Sequence, residues 1–301
     1  MTPFFRADRV HVQVPATSAN LGPGFDALGL ALDLVDDLHA RVVDSGLCVK
    51  VSGPGEELPR DEKHLVVRAM RAAFAHLGRQ PDGLELSCTN RIPHGRGLGS
   101  SAAAIVGGVL LARGLVPGGD ELLPDAQALA LASELEGHPD NVAPALLGGL
   151  TVAWLDEGRA HAIRLDCDAR VRPVVFVPPF EASTEQARGL LPASVPHADA
   201  AANAARAALL VAALTGAPEH LLAATGDLLH QQYREPAMPA SAALVAALRG
   251  DGLPAVVSGA GPTVLVLARD AAEVDRARGF APADWRVEEL AVLARGGHVV
   301  A

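Results

Sequence analysis

The stretch Pro93-His94-Gly95-Arg96-Gly97-Leu98-Gly99-Ser100-Ser101-Ala102-Ala103 alternates three glycines with other residues, then presents two adjacent hydroxyls. Glycine reaches backbone conformations closed to other residues, and serines at a helix start cap free N–H groups. A glycine-rich turn that enters a helix is suited to an anion, because the N–H groups and the helix dipole both face the ligand. The stretch follows a strand-like alternation over Gly83–Thr89 and opens an apolar helical run over Ala102–Arg113, which is the context such a loop needs. It fits neither common nucleotide fingerprint. The Walker pattern requires a Lys before its Ser/Thr; Gly99 holds that place, and the only lysines are Lys50 and Lys63. The dinucleotide pattern requires a third glycine, and Ser100 stands there.

Four further groups of residues carry chemistry. Asn20 and Asp26 lie in a loop forced by Gly22-Pro23-Gly24. An exposed amide and carboxylate there suit a cationic ligand, although both residue types also form turns by bonding their own backbone. His138, Asp140 and Asn141 sit within four residues of one another at a proline-marked helix start. Arg188 and Arg234 offer guanidinium forks, the preferred partners of carboxylates. Glu134 and Glu136 both follow the glycine loop on a helical stretch, and their spacing of two sends them to different faces. One of them beside Ser101 supplies the hard oxygen ligands that Mg²⁺ prefers.

These groups need elements to position them. Apolar alternation predicts strands over Val10–Val14, Ala27–Asp33, Leu38–Val43, Leu47–Ser52, Gly148–Leu155, Ala160–Leu165 and Arg172–Val177. Helical periodicity predicts Leu65–Leu77, Asp125–Glu136, a short turn from Pro139, His197–Leu214, Glu219–His230, Pro239–Gly250 and Ala271–Arg278. Ala255–Leu267 reads as strand, glycine turn, strand, and Val287–Val292 as a last strand. A strand-rich first half and a helix-rich second half indicate an α+β protein in two lobes, divided as 1–165 and 166–301.

A chain of 301 residues with net charge −10 argues against nucleic acid or anionic membrane as partner. No apolar run approaches the ~20 residues of a membrane span. The N-terminus lacks a secretory h-region, and three widely spaced cysteines, Cys48, Cys88 and Cys167, read as reduced, mostly buried thiols. A cytoplasmic location is expected.

The segment Pro93–Ala102 resembles the second motif of the GHMP kinases, Pro-x-x-x-Gly-Leu-Gly-Ser-Ser-Ala, at every position. Pro15–Asp26 with the following Ala-Leu-Gly-Leu-Ala-Leu, and His138–Pro144, are similar to segments of the homoserine kinases within that family; Val257–Thr263 resembles the third family motif. The resemblance implies an N-terminal α/β lobe beside a ferredoxin-like C-terminal lobe, with the active site between them. It implies ATP on Pro93–Ala103, Mg²⁺ on Ser101 and Glu134, and L-homoserine among Asn20, Asp26, His138, Asn141, Thr184, Arg188 and Arg234. In this pattern Asn20 and Asp26 receive the substrate ammonium, and Asn141 and His138 contact the accepting hydroxyl. His64 stands where the family often has Asn near the adenine. The implied activity is ATP-dependent phosphorylation of homoserine, on the route to threonine, with a homodimer left open. A shikimate- or mevalonate-type kinase and a nucleotide-binding regulator without catalysis are the alternatives. The ammonium-binding pair counts against the first, and intact Ser101, Glu134 and Asn141 against the second.

Overall fold

The computed structural model describes residues 4–300. Met1–Pro3 and Ala301 lie outside the described residues, and with them part of the N-terminal reading. Alternating apolar residues build the first sheet from β1 (Val10–Ala19), β2 (Leu28–Val43), β3 (Gly46–Ser52), β4 (Gly83–Thr89), β5 (Leu150–Asp156) and β6 (Arg159–Leu165). Its central order is β1-β2-β4-β3, with β5 on the far part of β2 and β6 on β5. Only β3 and β4 run parallel.

Five helices cover this sheet: α1 (Leu65–His76), α2 (Ser100–Leu115), α3 (Gly119–Leu122), α4 (Asp125–Glu136) and α5 (Pro139–Leu147). The middle of α2 is apolar on every side, with Ile105, Val106, Val109 and Leu110 all buried. A helix of that kind belongs in a core. The glycine loop is thereby fixed to a helix of the lobe's core.

Two strands expected around Leu28 and Val43 are one. The backbone of β2 continues through Asp36 and Asp37, with a register shift opposite Pro15 and Ala16. The acidic pair interrupts the apolar pattern but is locally satisfied. Asp36 accepts the backbone N–H groups of Arg91 and Ile92, and Asp37 takes the side chains of His11, Gln13 and Arg91.

The second sheet has the antiparallel order β10-β7-β9-β8, from β7 (Arg172–Val177), β8 (Ala255–Val257), β9 (Val264–Ala268) and β10 (Arg286–Glu289). The second half also carries α6 (Thr184–Gly189), α7 (His197–Thr215), α8 (Leu221–Ala224), α9 (Gln231–Arg234), α10 (Pro239–Gly250) and α11 (Ala271–Arg278). Phe176, Leu248, Val266 and Val274 close its own small core. The expected helix over Glu219–His230 does not form. It stops at Ala224, before Gly226, and Asp227 then accepts the N–H groups of Leu229, His230 and Gln231. That break turns His230 and Arg234 inward.

The last strand of this sheet ends at Glu289 rather than Val292. The chain then returns to the first lobe. Asp33 and Leu293 bond Ala291 and Ala31, and β11 (His298–Val299) pairs with β1. A division at residue 165 separates the two sheets, but the C-terminal tail belongs with the first.

Candidate active site

The glycine loop folds against β1 and the turn after β8. A Cβ on Gly97 would lie 2.4 Å from the Ser258 carbonyl oxygen, and one on Gly99 would lie 1.9 Å from Thr17 Oγ1. Both residues have positive φ. No other residue type meets both demands. Gly99 itself is the N-cap of α2, with no side-chain cap. Ser100 and Ser101 therefore lie in the first turn instead of capping it, contrary to expectation. The first N–H groups of a 16-residue helix are left to meet an anion.

Within the expected loop, Gly95, Gly97, Gly99, Ser100 and Ser101 line a cavity of about 330 Å³. Leu98, Ala102 and Ala103 are core anchors, and Pro93 lines none of the main cavities. Arg96 turns away. Its guanidinium bonds the carbonyls of His94, Pro178 and Pro179 and pairs with Glu181. It fastens the loop to the segment before α6.

The carboxylate that reaches the loop is Glu136. Ser101 Oγ donates to Glu136 Oε2 at 2.7 Å. Glu134 is exposed on the opposite face of α4, in a separate open cavity with His76, Gln127 and Arg159. The assignment of Glu134 is thus corrected. Two positions on a helix differ by about 200°, and the Gly137 turn into α5 aims Glu136 at the loop. Burial raises the Glu136 pKa; the Ser101 hydrogen bond and the charge of His138 oppose this, and Asp140 adds to it.

After Gly137 the chain enters α5, and three side chains converge. His138 Nδ1 bonds Asp140 Oδ1 at 2.5 Å. Asp140 is only 1 % exposed. Burial opposes the imidazolium, but the hydrogen bond and charge of Asp140, with the charge of Glu136, raise the His138 pKa above its ordinary value. Thr17 Oγ1 donates to Asn141 Oδ1 at 2.8 Å. The Asn141 amide nitrogen is left to face Asp140 and the cavity. Thr17 and the role of Asp140 escaped the sequence reading. Thr17 lies in a run of ordinary strand residues, and only the strand's contact with Gly99 reveals it.

The loop after β1 holds the other end of the cavity. Asn20, Leu21 and Asp26 all have positive φ, a strain such loops keep only when neighbours fix them. Asn20 does the fixing. Its Oδ1 accepts the Asp26 N–H and its Nδ2 donates to the Gly259 carbonyl, both at 2.9 Å. Asn20 lines the cavity but is bound into the loop at both ends of its amide. Arg188 donates to both oxygens of Asp26, at 2.7 and 3.1 Å. Arg234 is 2 % exposed and lies over the Phe25 ring, 5.2 Å from its centroid. Its Nη1 meets His230 Nδ1 and the Gly259 carbonyl, and it has no carboxylate partner among the described residues. Thr184, at the start of α6, completes the wall.

Ser100 and Ser101 also border a second, mostly apolar cavity of about 250 Å³ between β2, β4 and α1. His64 and His94 line it. His64 is 5 % exposed; burial and then His94 lower its pKa, and its Nδ1 has no partner. Cys88 borders it too, its thiol pushed up to about 12 by burial and by Asp36. Cys167 is raised to about 12 mainly by burial, whereas Cys48 is exposed, against expectation. No cluster of three His, Cys, Asp or Glu able to hold a metal occurs among the described residues, and none of their helices is long and apolar enough to cross a membrane.

The arrangement can seat a polyphosphate on the loop, hold a planar apolar group in one cavity, and orient a charged hydroxyl compound in the other. Known proteins resemble the chain along nearly its whole length. The GHMP kinase N-terminal domain model matches residues 64–149, and the C-terminal model residues 205–287. The homoserine kinase of Streptomyces coelicolor is 61% identical over 299 residues, 99% of this chain and 96% of the relative. The crystal structure of homoserine kinase from Cytophaga hutchinsonii superimposes with a TM-score of 0.82 at 28% identity, covering 99% of this chain and 100% of that one. A putative homoserine kinase from Listeria monocytogenes gives 0.74 at 31% identity, covering 97% and 99%. With both domain models matched in order and relatives alike along nearly its whole length, the chain belongs to the GHMP kinase family.

Proposed function

We propose that the chain transfers the γ-phosphoryl group of ATP to the hydroxyl of L-homoserine. The observation that carries this is the charge pattern across the first cavity. Two guanidiniums, Arg188 and Arg234, stand on one wall, with the Asp26 carboxylate paired to Arg188, and the helix N-terminus with Ser101 stands on another. An amino acid brings an ammonium for Asp26 and a carboxylate for Arg234 and Arg188. Shikimate and mevalonate bring no ammonium. Nearly full-length likeness to homoserine kinases supports the same substrate.

The nucleotide's phosphates lie along Gly95–Ser101 and its base in the apolar cavity. Neither lysine borders the first cavity, so the loop needs another source of positive charge. The oxygens of Ser101 and Glu136, 2.7 Å apart beside the loop, fit Mg²⁺, which favours hard oxygen ligands and retains several waters. When bound, it draws charge from the phosphate oxygens.

The remaining work is positioning. Thr17 fixes the Asn141 amide so that its N–H₂ side faces the substrate hydroxyl. Asp140 holds His138 by Nδ1, and Nε2 is left to orient the same hydroxyl. The bond to Asp140 favours the charged imidazolium of His138, the form that donates to the substrate hydroxyl and cannot take its proton. The substrate hydroxyl therefore keeps its proton until late and gives it up as the phosphorus–oxygen bond forms, to a phosphate oxygen. A loose transition state demands little earlier deprotonation.

The test is ADP release with L-homoserine, shikimate, mevalonate and galactose as acceptors. Release with homoserine alone is expected; release with another acceptor in preference would overturn the assignment.

A further inference from the structure

The second cavity contains polar groups that the chemistry above does not use. Asp36, in the middle of β2, is 5 % exposed, and it borders a space whose apolar walls include Leu38, Leu65, Val66 and Ala104, with Lys63, Asn90 and His94 also on its lining. Oδ1 accepts the N–H groups of Arg91 at 2.6 Å and Ile92 at 2.9 Å. Oδ2 takes no hydrogen bond among the described residues. His64, at the start of α1, brings the unpartnered Nδ1 to the same cavity. A buried polar atom without a partner costs roughly 1–3 kcal/mol, so His64 Nδ1, with the spare Asp36 oxygen bordering the same space, points to a ligand with matching polar atoms. Because the cavity shares Ser100 and Ser101 with the phosphate site, that ligand is joined to a phosphate chain.

We infer that Asp36 selects the nucleobase, with Oδ2 accepting a hydrogen bond from the 6-amino group of a purine and His64 Nδ1 meeting an adjacent ring nitrogen. This rests on the nucleotide-site reading above. The choice falls to Asp36 because His64 can donate or accept by changing tautomer. A deprotonated carboxylate only accepts. A 6-oxo purine sets oxygen against oxygen there. Guanine could instead offer N1–H and a 2-amino group to a carboxylate, but that grip uses two oxygens, and Oδ1 already serves Arg91 and Ile92.

The experiment compares ADP, IDP and GDP binding by calorimetry, and kcat/KM with ATP, ITP and GTP. The wild-type protein should prefer ADP to IDP and GDP by on the order of 10²-fold, the scale of one buried polar group left unpaired. In Asp36→Asn, Oδ1 can keep the two backbone N–H groups while Nδ2 offers the cavity a donor. The ADP:IDP ratio should then fall by at least about tenfold, the effect of ~1.4 kcal/mol, with the KM for homoserine unchanged. In His64→Phe, ADP should weaken about tenfold while the ADP:IDP ratio falls less. Equal wild-type binding of ADP and IDP, no binding of either, or an unchanged ratio in folded Asp36→Asn would overturn the inference. If Asp36→Asn does not fold, an unchanged ADP affinity in His64→Phe does so. Failure of the acceptor assay with selective ADP binding intact would instead overturn the phosphoryl-transfer reading alone.

Discussion

The two cavities that meet at Ser100 and Ser101 are built on opposite terms. In the first, most polar groups already hold one another, Asp26 with Arg188, His138 with Asp140 and Ser101 with Glu136, and Arg234 alone keeps a buried Nε without a partner. In the second, apolar walls surround a His64 Nδ1 that holds nothing and an Asp36 carboxylate with only one oxygen engaged. Prepaired charges keep the first site ordered and let a zwitterionic substrate exchange partners at small cost. Unpartnered atoms in an apolar space make the second demanding about what enters it. Chemistry belongs to the first and identity to the second.

The sharpest way to break this contrast is at the metal carboxylate. Glu136→Gln should lower kcat by on the order of 10³, as loss of a preorganised electrostatic group does. Glu134→Gln, on the opposite face of α4, should leave it unchanged. Steady-state rates of the pair decide it, and the reverse outcome would return the role to Glu134.

Next in size is the substrate end. Asp26→Asn and Arg234→Met should raise the homoserine KM by about 10²-fold, within the roughly 2–5 kcal/mol of an unpaired buried charge, and leave ADP affinity alone. A uniform loss of both affinities would show that these side chains hold the loop instead of the ligand.

Smaller effects test positioning. Asn141→Ala should reduce kcat about 10²-fold and Thr17→Val about tenfold, with KM nearly constant, the sign of lost orientation. If His138 were the base, kcat would rise through its pKa and become flat in His138→Gln; the positioning account expects no such step in either protein. The same residue gives the smallest signal, in stability. Its folded pKa lies above an unfolded value near 6.5. Its stabilising contribution is therefore complete below about pH 6.5 and is lost as pH rises through the folded value. Melting curves of wild type and His138→Gln should converge as pH rises above about 6.5.

Much of this was legible in the chain. The glycine loop announced itself because close backbone approach admits only Gly97 and Gly99. The convergence of His138, Asp140 and Asn141 followed from a proline-started helix. What stayed hidden depended on facing and on distant partners. Glu134 and Glu136 differ only in which side of α4 they occupy. Asn20 looked like a ligand residue, and its amide proves to bond Asp26 and Gly259, the latter far along the chain. Asp36 fell in the gap between two expected strands, because its compensating N–H groups come from residues 91 and 92. The break at Gly226 was lost in an alanine- and leucine-rich run, and the return of the last strand to β1 has too few residues to show a pattern.

The central claim is that the first cavity receives a hydroxyl compound carrying both an ammonium and a carboxylate. Rates of ADP release with L-homoserine and with 4-hydroxybutyrate, which differs by lacking the ammonium, test it most directly. The account predicts a kcat/KM for 4-hydroxybutyrate lower by on the order of 10⁴, the range for a site left with an unpaired polar group. Equal rates with the two compounds would contradict it.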